Sequence, residues 1–307
     1  MLNVLAITSP IFLLIALGYG AVQAGIMEKG GTRPLGAFVL TFALPALIFK
    51  SLAQRPVAEI ANWGYLAAYG GGSLIAYFLL FGLARWQGKT LTAAAIHALG
   101  GSISNSAFIG YPLVTLALGP VAVVAMTLNM VIENVVMLPL ALILAESGTN
   151  GGGKLRDVLY GTALRLIKNP LIAAICAGAA MSLGGLPLPG PLEKTLALLA
   201  AAAAPVALFV IGGTLAGLPL RGMLGDAMQI ASAKLFVHPA AVYACLQLVP
   251  PLAPELSKAI VIFAALPMAA IYPLLAQPYD RAEQGAAALA VATMASFVTI
   301  STLLALL

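Results

Sequence analysis

The sequence predicts an all-α integral membrane protein of ten transmembrane helices, arranged as two inverted repeats of five. Three observations carry this expectation. The 307 residues are 62% hydrophobic and only 8% charged, with a mean hydropathy of +1.04, outside the range of soluble globular chains. Apolar runs of about 20 residues, the length an α-helix needs to cross a bilayer core, recur between short loops. The two halves of the chain also share prolines and glycines at one fixed offset. A β-barrel is excluded, because its strands alternate over about ten residues.

Taken in order, hydropathy and Gly/Pro punctuation place the spans at 4–24, 34–52, 62–86, 91–118, 120–146, 169–185, 190–218, 226–249, 256–277 and 282–306. The first span, "MLNVLAITSPIFLLIALGYG", lacks the basic start of a signal peptide and is read as retained. Trp63 and Trp86 flank the third as interfacial anchors. Between the fifth and sixth lies the longest polar stretch, read as a cytoplasmic linker over 147–168 that separates a first repeat (1–146) from a second (169–307). Cys176 and Cys245 each sit in an apolar run, which suggests packing residues and neither a disulfide framework nor a metal site.

The repeat rests on two pairs of segments. "SPIFLLIALG" (9–18) matches "NPLIAAICAG" (169–178) at Pro10 and Pro170, Ile15 and Ile175, Gly18 and Gly178. "ALPALIF" (43–49) matches "AAPVALF" (203–209) at Pro45 and Pro205, Phe49 and Phe209, again with an offset of 160. Five spans per half is odd, so the second half enters the membrane from the opposite side, a common design of secondary transporters. Orientation follows from the basic residues. Ten Lys and Arg fall in loops away from the termini and four on the termini side, which places both termini outside. No Lys/Arg block occurs, so the net charge of +5 gives no indication of a nucleic-acid partner.

The fourth span carries "SNSAFIGYP" and the ninth "ALPMAAIYP", with Tyr111-Pro112 and Tyr272-Pro273 offset by 161. Gly110 and Pro112 are expected to end one half-helix and start another, and Pro267 and Pro273 to bracket a second break. In a bilayer, freed backbone groups need partners from protein or a water-filled cavity, and Ser102, Ser104, Asn105 and Ser106 are placed to supply them. Half-helix N-termini suit a carboxylate. A plain kink with back-bonded serines would explain one such segment, whereas two at matching places in an inverted repeat favour a binding site. Met268 draws notice because it follows Pro267.

Ionisable groups inside a bilayer are costly and mark function by default. Glu133 lies mid-span with Asn129 one turn before it and Asn134 beside it; Lys234 is the second such group, with His238 at i+4. Glu133 and Lys234 are read as lining or supporting the cavity, against the competing reading of a structural ion pair between helices. Lys50 and His97 fit snorkelling or ordinary polar packing. No nucleophile–base pair, metal cluster or Walker motif appears, which argues against an enzyme, a cofactor or ATP as the direct energy source.

These residues resemble those of the auxin efflux carrier family, which includes bacterial malonate carriers and plant PIN-type auxin exporters. The resemblance lies in "SNSAFIGYP" with Asn105, Phe108, Gly110 and Pro112, and in "LPALIFKSLA" (44–53), "APVALFVIGGTLAG" (204–217), "AKLFVHP" (233–239) and "LPMAAIYPLLAQPYD" (266–280). It implies a fold similar to sodium/bile-acid and sodium/proton antiporter folds, with crossed broken helices 4 and 9. It also implies a scaffold domain of spans 1, 2, 6 and 7, able to form a homodimer, and a transport domain of spans 3–5 and 8–10. Many members carry an asparagine where this chain has Ile271, which leaves Asn105 as the principal polar side chain at the crossing. The expected function is a secondary carrier of a small carboxylate, malonate-like or auxin-like, in a bacterial inner membrane, working by elevator-type alternating access. The expected substrate site comprises Ser104, Asn105, Ser106, Gly110, Tyr111, Pro112, Pro267, Met268, Ile271 and Tyr272. Glu133, Lys234, Asn129 and Asn134 are the expected coupling or charge partners. Proton, sodium or no coupling ion all remain open, and a cation/proton antiporter using Glu133 is the alternative.

Overall fold

Helix α1 (Leu2–Gln23) opens a computed structural model that describes residues 2–28, 30–54, 62–148, 160–161, 164, 167–216 and 224–306, with side chains from residue 9 onward. It is followed by α2 (Arg33–Ala53), α3 (Trp63–Trp86), α4 (Leu91–Gly100), α5 (Ser106–Leu118) and α6 (Val121–Ser147). Then come α7 (Pro170–Leu183), α8 (Gly190–Ala216), α9 (224–246), α10 (Pro254–Ala264), α11 (Tyr272–Ala276) and α12 (Ala282–Leu306). No strand occurs among the described residues. Helix occupies part of every predicted apolar segment, and among the described residues five helices (α2, α3, α6, α8 and α12) are long and apolar enough to cross a membrane. Most of the expected linker at 147–168 lies outside the described residues, as do the basic residues Lys29, Arg55, Lys154, Arg156, Arg165 and Arg221.

Local chemistry sets several ends. Thr90 Oγ1 accepts from Ala93 N–H at 3.2 Å and starts α4; Asn169 Oδ1 accepts from Leu171 N–H at 2.9 Å, with Pro170 following as a first helical residue. Gly119, at φ 74°, stops α5 one residue before Pro120.

Among the described residues four helical stretches widen into single π turns: Val39–Ala43, Ser106–Gly110, Glu133–Met137 and Ala233–Val237. Each is followed, at the second residue of the next helical segment, by a proline: Pro45, Pro112, Pro139 or Pro239. A proline ring collides with the carbonyl four residues back, and in all four cases that carbonyl belongs to the π turn. The extra residue in the turn gives the ring room, so the helix continues where it would otherwise break. Pro10 and Pro205 sit inside helices without such a turn.

The chain divides into two units, Met1–Trp63 with Ala107–Leu128 and Ile167–Gly217, and Gly64–Ser106 with Asn129–Leu166 and Leu218–Leu307. In the first, α1 packs on α8 and α2 on α7 around Ile11, Ile15, Leu44, Ile48 and Leu52. Glycines set the distance of closest approach. A Cβ added to Gly18 would lie 2.0 Å from Phe209 O, and one on Gly212 would lie 1.8 Å from Ile15 O. Across α2 and α7, a Cβ on Gly178 would lie 3.1 Å from Phe49 O. The residues matched by the 160 offset therefore meet crosswise, Gly18 on Phe209 and Gly178 on Phe49.

In the second unit α4 packs on α6, α9 on α10 and α12, and α11 on α12. Gly72 lets α3 approach α9, where an added Cβ would sit 2.5 Å from Val242 Cα. Both tryptophans at the ends of α3 are exposed. Cys176 is exposed too, so the expected packing role fails there; Cys245 is half-buried against Gly71.

Candidate functional site

Between α4 and α5 the chain leaves helical geometry over residues 101–105, and between α10 and α11 over 265–271. The second break falls where one was expected, but it opens two residues before Pro267 and closes at Tyr272-Pro273. The first lies upstream of Gly110 and Pro112, which were expected to open it. The π turn at Ser106–Gly110 absorbs Pro112, and the chain opens instead after Gly100-Gly101, where serines can cap the freed groups.

The two breaks meet directly, since Asn105 N–H donates to Pro267 O at 2.9 Å. Several other freed backbone groups are met by side chains. Ser102 Oγ donates to Ala98 O (3.0 Å) and Leu99 O (3.2 Å), and Tyr272 Oη reaches across to Ile96 O (3.1 Å) at the same helix end. Lys234 Nζ donates to Ala264 O at 2.6 Å, placing a cation at the C-terminal end of α10, where the helix dipole is negative. Ser104 N–H donates to Glu133 Oε1 at 3.0 Å. Each break thus has one buried ionisable side chain attached to it.

Glu133 is only 8% exposed, and two hydroxyls join the Ser104 amide on its Oε1: Tyr69 Oη at 2.8 Å and Ser106 Oγ at 3.1 Å. Tyr69 Oη also lies 3.0 Å from Ser104 Oγ. One turn earlier on both helices, Tyr65 Oη donates to Asn129 Oδ1 at 2.9 Å. The pairs Tyr65–Asn129 and Tyr69–Glu133 form two rungs between α3 and α6.

Lys234 is fully buried, and its second partner is His238 Nδ1 at 2.9 Å. A donor at Nδ1 leaves the proton on Nε2, which donates to Ser73 Oγ at 2.9 Å. Glu133 and Lys234 do not form the ion pair weighed above, because each is bonded to the backbone of a different break. Asn134 does not join them either: half-buried, it donates to Met130 O of its own helix at 2.8 Å, the local bond available to a mid-helix asparagine.

Of the other expected site residues, Ser104, Asn105, Ser106, Met268 and Tyr272 are buried, while Ile271 is 46% exposed. Gly110, Tyr111 and Pro112 belong to the first unit, and Pro267 to the second. Lys50 approaches Glu193 at 3.9 Å, and Gln54 Nε2 donates to the same carboxylate at 2.9 Å.

Sequence reasoning missed two groups. Tyr65, Tyr69, Ser73 and Tyr77 are all fully buried on α3, and their recurrence at every fourth residue was the legible signal of a polar stripe. His97 is more than packed: Nδ1 accepts from Gln284 Nε2 at 3.0 Å and Nε2 donates to Gln229 Oε1 at 2.8 Å. Gln284 also donates to Asp226 Oδ2 (3.0 Å), and Lys89 pairs with Asp226 Oδ1 at 2.7 Å. No sequence motif links those five positions.

Two backbone breaks in contact, with buried polar groups around them, in an apolar chain carrying several membrane-length helices, fit a multi-pass membrane transporter. Comparison with known proteins agrees. The model of the family described as membrane transport protein, which is the auxin efflux carrier family, matches residues 4–305, and the chain belongs to that family. It is 30% identical over 311 residues to a Rhizobium meliloti (strain 1021) protein named "Putative malonate transporter", covering 100% of this chain and 97% of the relative. It is 25% identical over 211 residues to the "Uncharacterized transporter YfdV" of Escherichia coli (strain K12), 67% of each chain. It is also 26% identical over 244 residues to the mouse "Lysosomal cholesterol signaling protein", covering 74% of this chain and 28% of that one.

Proposed function

We propose that the protein is a secondary carrier of small organic carboxylates, with a malonate-like dicarboxylate favoured over an auxin-like acid. The observation that carries this reading is the contact of the two breaks through Asn105 N–H and Pro267 O, which brings Ser104, Asn105 and Ser106 to one polar point inside an apolar unit. Hydroxyl, amide and backbone N–H donors of the kind found there suit a carboxylate. The name of the Rhizobium meliloti relative supports the choice of malonate.

In this reading the chain crosses a bacterial inner membrane ten times, with both termini outside and α4–α5 and α10–α11 each forming one broken span. The crosswise contacts of Gly18 with Phe209 and Gly178 with Phe49 support the inverted repeat. Transport proceeds by elevator-type alternating access, with spans 1, 2, 6 and 7 as the scaffold. The separation of α1, α2, α7 and α8 into one unit supports this division. Residues 107–128, the second part of span four and the start of span five, fall in that unit as well, although both spans belong to the transport domain in this reading.

The test is uptake of radiolabelled malonate, related dicarboxylates and indole acetate into proteoliposomes, wild type against Asn105→Ala. Saturable malonate uptake that falls at least about tenfold in the variant, the equivalent of about 1.4 kcal/mol, is expected. Equal uptake by the two proteins refutes the role of Asn105.

A further inference from the structure

The carboxyl of Glu133 is held asymmetrically. Oε1 takes all three donors, Ser104 N–H, Ser106 Oγ and Tyr69 Oη, while Oε2 has no hydrogen bond among the described residues. The residue as a whole keeps 8% exposure. A carboxylate buried this deeply without a cation in contact carries a desolvation penalty of several kcal/mol. Lys234 does not relieve it directly, since Nζ is engaged with Ala264 O and His238 Nδ1. The titratable and charged groups around Glu133 are Tyr65 and Tyr69 from α3 and Lys234 and His238 from α9. The unwound segment 101–105 contributes none.

Two of the three donors bracket Asn105: the preceding residue gives its backbone N–H and the following residue its hydroxyl. A full charge on Glu133 therefore grips the polypeptide on both sides of the proposed substrate ligand. A neutral carboxyl grips it more weakly, because hydrogen bonds to an ionised acceptor are about twice as strong as those to a neutral one. The charge also repels an incoming anion, through a medium that screens poorly.

We propose that Glu133 is the proton-carrying residue of the transport cycle, with the free Oε2 taking the proton and the segment 104–106 reporting its presence to the substrate site. This rests on the carboxylate-carrier reading above. A proton from water on the loading side bonds to Oε2; the site, now neutral at Glu133, accepts the anion. After the site is exposed to the other side, the anion leaves and the O–H bond breaks, returning the proton to water there. One O–H bond is formed and broken, and proton and anion travel in the same direction.

The experiment uses the full-length protein in proteoliposomes loaded with a pH-sensitive dye, the membrane potential clamped, and malonate added outside near neutral pH. In the wild type, malonate entry acidifies the lumen, and one unit of inward proton gradient raises steady accumulation about tenfold for one proton per anion. Glu133→Gln keeps an acceptor oxygen for the three donors but cannot bind the proton. Any malonate flux it retains moves no protons, and its gradient ratio falls to about one. Wild-type malonate transport without lumen acidification overturns the proposal, and so does a gradient response that survives in Glu133→Gln. If the variant fails to insert, the wild-type proton flux decides alone. A wild type that moves none of the carboxylates refutes the carrier reading itself, which keeps the two failures apart.

Discussion

Replacing Gly212 by alanine tests the packing that joins α1 to α8. The new Cβ would lie 1.8 Å from Ile15 O, and real Cβ contacts essentially never fall below 3.0 Å, so the helices must separate there by at least 1.2 Å, the difference. The obstacle is a main-chain carbonyl held in a helix, which no rotamer change can clear. A gap of about 1 Å forfeits a quarter to a half of the dispersion energy of the atoms lining it. Overpacking of this kind typically costs about 1–3 kcal/mol, and the rigid obstacle argues for the upper end. At roughly 2–4 °C per kcal/mol, the midpoint of thermal unfolding in detergent should drop by about 6–12 °C. Gly20→Ala, on the facing helix α1 with nothing within 4 Å of its added Cβ, is the control and should stay within about 0.5 kcal/mol of wild type. Because Gly18 lies on the same interface, the Gly18→Ala/Gly212→Ala double variant should cost less than the sum of the singles. A Gly212→Ala protein as stable as Gly20→Ala would refute the packing argument.

Three further outcomes follow from the polar contacts. Tyr272→Phe keeps the ring over Gly100 but removes the donor to Ile96 O, and should lower unfolding stability by about 1 kcal/mol. Ser73→Ala leaves the His238 Nε2–H buried without an acceptor and should cost about 1–3 kcal/mol by the same measurement. Gln284→Leu strips His97 Nδ1 and Asp226 of a donor at once. It should destabilise by about 1–3 kcal/mol, and adding His97→Leu should recover part of that loss in a double-mutant cycle.

The helices were legible because hydropathy and Gly/Pro punctuation report solvent and backbone constraint residue by residue. The presence of two breaks was legible for a related reason: "SISNSAFIGYP" is too polar for a lipid-facing segment, and its counterpart near Pro267 shares the Tyr-Pro pair at an offset of 161. The position of the first break was not legible. Pro112 looks like a breaker, but a single widened turn accommodates it, and whether a helix widens or breaks depends on which side chains can reach the freed groups. The pairing of Glu133 with the backbone at Ser104, and of Lys234 with that at Ala264, was hidden for the same reason. Composition shows that each charge needs compensation, and only the fold shows that each finds it at a different break.

The contacts that bind α1 to α8 and α2 to α7 each join a helix from before the linker to a helix from after it. The peptide connection between residues 146 and 169 is therefore not what keeps the first unit together. Severed into two polypeptides at that point and co-expressed, the fragments would still recognise each other through the glycine seams at Gly18, Gly178 and Gly212, as two subunits of a heterodimer would.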